Sequence, residues 1–165
     1  MNKLEDYQNL NDKAIMIGGD HWGHELALHL FQFLRGKGVK AEFVRYSGDN
    51  ADYISQVMLV ASRVSNDPKQ FAGILACKSG FGMSVLSNKF PNVFSVMCSD
   101  EYFAEQSRLI NYCNLLALGS AITPLAEAEK IVEKWLNTNF EMSEKNLGRF
   151  ERIKNIQKKS DHPQS

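Results

Sequence analysis

The residues of this chain best suited to chemistry fall in two short stretches, "GGDHWG" (18–23) and "CKSGFG" (77–82). In the second, the apolar run "GILAC" ends on Cys77 and passes into a turn with glycines at 80 and 82 around Phe81. A thiol acts as a nucleophile or a proton-transfer base once it ionises. Free backbone amides of a turn such as 79–82 stabilise an anion or a developing oxyanion, and the same dipoles favour a thiolate. Lys78 adds a cation on that turn, and Ser79 a hydroxyl. In the first stretch Asp20 and His21 suit acid–base work or contact with a phosphate; equally, Asp20 suits helix capping and His21 a place facing solvent. A cysteine at a buried strand end is also often a small apolar filler. The glycine turn lacks the Gly-Lys-Ser/Thr ending of a Walker loop, and GxGxxG is missing, so neither nucleotide signature is present.

Such residues need elements to position them. Short apolar runs alternate with helical segments throughout the chain. Strands are expected in "KAIMIGGD", "VKAEFVRY", "FAGILAC", "NVFSVMCS" and "NLLALGS". Between them, "HELALHLFQFLRGKG" carries Leu26, Leu30, Phe33 and Leu34 at helical spacing, with Gly36 and Gly38 as its stop. "SGDNADY" reads as a loop, and the helix after it has a stripe of Ile54, Val57, Met58 and Ala61. "GMSVLSNKF" and "DEYFAEQSRLINYC" are two further helices. The helix in "AITPLAEAEKIVEKWLNTNF" takes Thr123 as N-cap and Pro124 in its first turn, with a face of Leu125, Ala128, Ile131, Val132 and Trp135. Last comes a polar helix, "SEKNLGRFERIKNIQKK", with a thin stripe at Leu147, Phe150, Ile153 and Ile156.

Five strands alternating with helices imply an α/β protein with a parallel, doubly wound sheet. No internal repeat or linker divides it, so residues 1–157 are expected to form one domain and 158–165 a disordered tail. The last helix is too polar to belong wholly to one core and is expected to cover a neighbouring subunit. In this topology ligands sit beyond the carboxyl ends of the strands. The turns bearing Asp20 and His21, Cys77 to Gly82, and Ser99 and Asp100 are therefore expected to face one crevice, with Gly119 and Ser120 on the fifth turn.

Composition narrows the function classes. The 165 residues are 44% hydrophobic and 23% charged, with 19 basic and 19 acidic side chains, so nothing favours nucleic acid or an anionic membrane. No stretch approaches 18 apolar residues, the N-terminus has no apolar signal core, and the three cysteines have no CxxC spacing; a cytosolic protein with reduced thiols is expected. No His/Cys/Asp cluster has metal-ligand spacing, so neither a metal nor a cofactor is expected. Cys98 and Cys113 read as core residues, and His24 and His29 as residues of a helix surface.

Taken together, "IGGDHWGHEL", "GILACKSGFGMSVLSNK", "VMCSDEYFAEQSR", "NLLALGS" and "IVEKWLNTNFE" resemble the ribose-5-phosphate isomerase B / galactose-6-phosphate isomerase family, in order and spacing from about Ala14 to Ile156. The resemblance implies a Rossmann-like three-layer α/β/α sandwich, with a homodimer or homotetramer whose active sites are shared between subunits. It implies a metal-free aldose–ketose isomerisation of a sugar phosphate, ribose 5-phosphate to ribulose 5-phosphate in the leading reading. By it, Cys77 matches the base that shuttles a proton through a cis-enediolate. Ser79 matches a residue that contacts the sugar, and the amides of Ser79, Gly80, Phe81 and Gly82 match the oxyanion site. Asp20 and His21 match a pair that handles hydroxyls, ring oxygen and phosphate. Met83 stands where a related subgroup has a glutamate base, which favours the cysteine variant.

The sequence also departs from the family pattern. The ring-opening histidine falls at Ile110, with the following Asn111 kept; an arginine after the "LALG" strand falls at Ala121; and one of two phosphate arginines falls at Gly148, leaving Arg152. Arg149 and Lys145 lie close by, and Lys78 replaces a glycine. The tyrosine of the "DNADY" loop falls at Asn50, whereas Asp52 and Tyr53 fit. LacB subunits of galactose-6-phosphate isomerase share such losses, which a LacA partner makes good. A LacB-like subunit with a LacA-like partner is thus the alternative, and a degenerate sugar-phosphate-binding subunit a third.

Overall fold

The apolar runs form strands because both of their faces are covered. The computed structural model describes residues 9–45 and 52–160. Its elements run β1 (Ala14–Gly19), α1 (His24–Gly36), β2 (Ala41–Val44), α2 (Tyr53–Asn66), β3 (Phe71–Cys77), α3 (Phe81–Ser87), β4 (Ser95–Met97), α4 (Glu101–Asn111), β5 (Leu115–Gly119), α5 (Leu125–Asn137) and α6 (Glu144–Ser160). Every residue of β5, and all of β3 after Phe71, is buried, as a parallel sheet between two helix layers requires. The sheet is wholly parallel with strand order β2-β1-β3-β5-β4. The direction of winding reverses between β1 and β3. That reversal opens the crevice in which this Rossmann-like class of fold binds ligands.

Two cores line the sheet. On one face Leu26, Leu30 and Leu34 of α1 pack with Ile131, Val132 and Trp135 of α5 over Ile15, Ile17 and Ile74. On the other, Val57, Val60, Ala61 and Val64 of α2 pack with Met83 of α3 over Met16, Leu75 and Cys77. The α2 stripe is thus rotated from the one expected: Val57 and Ala61 are inside, but Ile54 and Met58 are about half exposed, and Val60 and Val64 take their place. The helix is apolar enough to offer two stripes, and the sheet accepts the compact β-branched one. Similarly Leu125 is exposed while Leu136 is buried.

The start of α5 also differs from expectation. Pro124, not Thr123, occupies the cap position, with extended backbone and no side-chain cap bond. The Thr123 hydroxyl is buried without a hydrogen-bond partner. Aspartates do cap α2 and α4: Asp52 accepts from the Ser55 amide at 3.0 Å and Asp100 from the Phe103 amide at 2.9 Å.

A third cluster was not foreseen. Phe94, Tyr112, Phe140 and Phe150, from four separate segments, meet with ring centroids 4.9–5.8 Å apart. It seats α6 on its own chain, helped in the first half by Asn146, which donates to the Leu109 carbonyl, and in the second by Gln157, which donates to that of Val93. The second half leaves Ile153 and Ile156 exposed. The helix continues to Ser160, beyond the boundary expected at 157. The loop position Asn50 and residues 161–165 lie outside the described residues.

Candidate active site

The crevice is built by backbone packing at the ends of β1 and β3. Gly19 pairs with Ala76, so the register carried one residue further sets Asp20 beside Cys77, about 4.8 Å away across parallel strands. The Asp20 amide donates to the Ala76 carbonyl at 3.2 Å. Its buried carboxylate accepts from the amides of Trp22 and Gly23, at 3.0 and 2.9 Å. Gly23 must be glycine, because a Cβ there would lie 2.0 Å from the Ala76 carbonyl oxygen. Asp20 therefore shapes the turn into α1, and its backbone runs beside the strand end that carries the thiol. His21 is exposed, its ring 5.2 Å from that of Trp22.

Cys77 is 6% exposed, and its Sγ accepts the Gly80 N–H at 3.1 Å. Gly80 makes that contact in the left-handed region (φ +82°), where a Cβ would also lie 2.7 Å from Met97. The Phe81 amide points at Ser79 Oγ, 3.4 Å away. Phe81 itself is exposed, and the Tyr53 ring lies against Gly82. Lys78 turns to the mouth, its Nζ 4.7 Å from the centroid of the Trp22 ring. Trp22, which sequence reasoning left without a role, is the missed residue of the crevice; its only signal was an aromatic next to Asp20 and His21.

The neighbour of the Cys77 turn is the fifth turn, not the fourth. Ser120 and Ala121 donate their amides to the carbonyls of Cys77 and Lys78, at 2.8 and 3.0 Å. Ser99 and Asp100 follow β4, which β5 separates from β3, about 10 Å away across the sheet. Strand order is not encoded in hydrophobic periodicity, hence the misplacement.

The remaining candidates lie at the opposite edge of the sheet. Asn111 ends α4, and three residues later the Asn114 carbonyl accepts from Gly73, four residues down β3 from Cys77. Those four residues span about 13 Å. Asn111 lines a cleft of about 160 Å³ with Asn88, Phe94, Ser95, Val96 and Ile153. Arg149 and Arg152 are exposed and line a shallow cleft of about 520 Å³ with Glu144, Lys145 and Gly148. Ile110, in the place of a histidine, is half-buried at the same end of α4. Within one chain the thiol half and the cationic half do not meet.

The other two thiols behave differently from a reactive one. Cys98 and Cys113 are fully buried, and burial pushes both well above the ordinary thiol range. The Arg108 guanidinium, itself lowered by burial, opposes this at Cys113 and donates to the Cys113 and Thr138 carbonyls. Among the described residues no group of three His, Cys, Asp or Glu side chains could hold a metal ion, and no helix is long and apolar enough to cross a membrane.

A switch-point crevice with a thiol, a carboxylate and a turn of backbone amides places the chain among open α/β proteins that handle small polar ligands. The sequence model of the Ribose/Galactose Isomerase family matches residues 15–153. Ribose-5-phosphate isomerase B of Escherichia coli is 38% identical over 135 residues, covering 78% of this chain and 87% of that protein. D-erythrulose-4-phosphate isomerase of Pectobacterium atrosepticum is 30% identical over 130 residues, covering 78% and 85%. Among solved structures, ribose-5-phosphate isomerase B of Clostridium thermocellum superposes with a TM-score of 0.83 at 32% identity, over 89% of this chain and 99% of that one. The chain belongs to the Ribose/Galactose Isomerase family. It is an enzyme, a sugar-phosphate aldose–ketose isomerase.

Proposed function

We propose that the chain interconverts ribose 5-phosphate and ribulose 5-phosphate, with Cys77 as the proton-transfer base. The observation that carries this reading is the Cys77 sulfur, which sits at the β1/β3 switch point and accepts the Gly80 N–H, with Asp20 on the neighbouring strand end. The Cys77 thiolate takes the C2 proton of the open-chain aldose, leaving a cis-enediolate, and returns it to C1 while the hydroxyl proton passes from O2 to O1, to give the ketose. One group suffices because the two carbons are adjacent. Amides of the 79–82 turn not engaged by the sulfur hold the enediolate oxygen. The Ser79 hydroxyl contacts the sugar, and Asp20 and His21 handle its ring oxygen and hydroxyls.

The second half of the site comes from a second copy. Asn111, Arg149 and Arg152 stand at the wrong edge of their own sheet to reach Cys77, and an antiparallel homodimer brings each set to the other's crevice. Exposed Ile54, Met58, Leu59, Phe81 and Val85 supply an apolar surface for such pairing. The single domain works as a cytosolic dimer, or as a pair of dimers.

Turnover of ribose 5-phosphate by the purified chain, followed as ketose formation, tests the reading. Activity that falls at least about 10²-fold in Cys77→Ala is the expected result. A folded wild-type chain without activity would overturn it. Ile110, Ala121 and Gly148 favour one second reading: a LacB-like subunit acting on a six-carbon sugar phosphate only with a LacA-like partner. Activity on galactose 6-phosphate that appears only with such a partner is its signature.

A further inference from the structure

Lys78 is the cation nearest the reacting thiol in sequence, and its surroundings give it a defined place. Cys77 packs on the α2–α3 side of the sheet. Lys78, one residue on, leans across the mouth of the crevice toward the β1–α1 turn, where its ammonium lies over the Trp22 ring at 4.7 Å. Both partners are tied to the site by their backbones: the Trp22 amide is held by the buried Asp20 carboxylate, and the Lys78 carbonyl by the Ala121 amide. Among the described residues no carboxylate lies within ion-pairing distance of Lys78. A ring face under an ammonium orients it without neutralising it and leaves N–H donors free on the other side. His21, its ring 5.2 Å from that of Trp22, is another polar group of that rim.

We propose that Lys78, seated on Trp22, binds the terminal oxyanion of the substrate and is a specificity-determining residue of the crevice, with Trp22 as its positioning residue. This rests on the isomerase reading of Cys77 and deepens it. A compact ammonium with three donors suits a tetrahedral oxyanion such as phosphate. The carbonyl-to-amide bond between Lys78 and Ala121 gives the placement its logic. Position 121 carries a methyl group in this chain, and its neighbour across the two turns carries the charge. The anion is therefore gripped from the same subunit that supplies the thiol, and the partner's Arg149 and Arg152 close over it.

Two readouts test this in the full-length protein: steady-state kinetics on ribose 5-phosphate, and calorimetric affinity for inorganic phosphate, which needs no turnover. Lys78→Gln is expected to weaken phosphate binding about tenfold or more and to raise KM far more than it lowers kcat. Lys78→Arg is expected to restore most of both. Trp22→Leu is expected to raise KM about threefold, and Trp22→Phe to recover it, a pattern that general loosening of the fold would not give. Phosphate affinity unchanged in a folded Lys78→Gln variant, or no phosphate binding by the wild type, overturns the proposal. If phosphate binds and Lys78→Gln weakens it while no sugar phosphate is turned over, the isomerase reading fails and the oxyanion site stands. If turnover is present but KM and phosphate affinity ignore Lys78→Gln, the reverse holds.

Discussion

The two edges of the sheet are built on different terms. At the carboxyl edge, Asp20, Cys77 and Gly80 are fixed by backbone: strand register, a left-handed turn and a glycine that lets α1 touch β3. At the amino edge, Asn111 at the end of α4 and Arg149 and Arg152 within α6 are exposed, and α6 is attached through one aromatic cluster and a few amide contacts. A site made from backbone tolerates little change, whereas exposed helix positions change without cost to folding. Of the departures from the family pattern, Ile110 and Gly148 sit at the amino edge. Lys78 and Ala121 lie at the carboxyl edge, both on the exposed rim of a turn. On the proposed reading the carboxyl edge carries the chemistry, and Lys78 there shares substrate binding with the amino edge of a second copy.

The strongest way to break that division is at the carboxyl edge. Gly23→Ala drives a Cβ into the Ala76 carbonyl and should cost at least about 3 kcal/mol in urea unfolding, if the protein folds at all. At the amino edge, Phe150→Ala empties a position 4% exposed among three aromatic rings and should cost about 3 kcal/mol. Its kinetic signature should be a raised KM with kcat less affected, since α6 carries Arg149 and Arg152 and not the base. A kcat loss as deep as that of Cys77→Ala would erase the distinction between the edges.

The buried thiols sharpen the comparison through pH. Cys98 and Cys113 have folded-state values raised by burial, while in the unfolded chain they titrate near 9.0. Below that pH both states keep the protons and stability is unaffected; above it the unfolded state alone releases them. The unfolding free energy read from urea titrations should therefore be flat from pH 7 to 8.5 and fall above pH 9, by about 1.4 kcal/mol per pH unit per thiol. Cys98→Ala should flatten that fall relative to wild type. The smallest effect belongs to the α1–α5 seam, where His29 meets Glu129 at 2.7 Å with both side chains one-third exposed. His29→Ala should cost no more than about 1 kcal/mol and leave turnover unchanged.

The carboxyl edge was largely legible in the sequence. A strand buried on both faces reads as an apolar run, and glycines mark where the chain must turn tightly, so β1, β3 and their turns stood out with Asp20 and Cys77 on them. Strand order did not, because insertion of β5 between β3 and β4 leaves no trace in periodicity; hence Ser99 and Asp100 were expected where Ser120 and Ala121 stand. The α2 stripe was ambiguous because apolar residues run almost continuously from Val57 to Ala61. Docking of α6 was hidden because its four rings come from four segments, and only Phe150 belongs to the helix. Trp22 was visible but its role was not, since a ring beneath an ammonium is a tertiary fact.

The most direct test of the central claim, one site made from the two edges of two copies, is complementation. Cys77→Ala and the double variant Arg149→Ala/Arg152→Ala would each be purified, unfolded together and refolded as a mixture, then assayed on ribose 5-phosphate. Each variant alone should be severely impaired. A mixed dimer regains one intact site, with the thiol from one chain and the arginines from the other, so the account predicts activity well above the sum of the two parts. A mixture no more active than its separate components, with wild type refolded in parallel fully active, would contradict it.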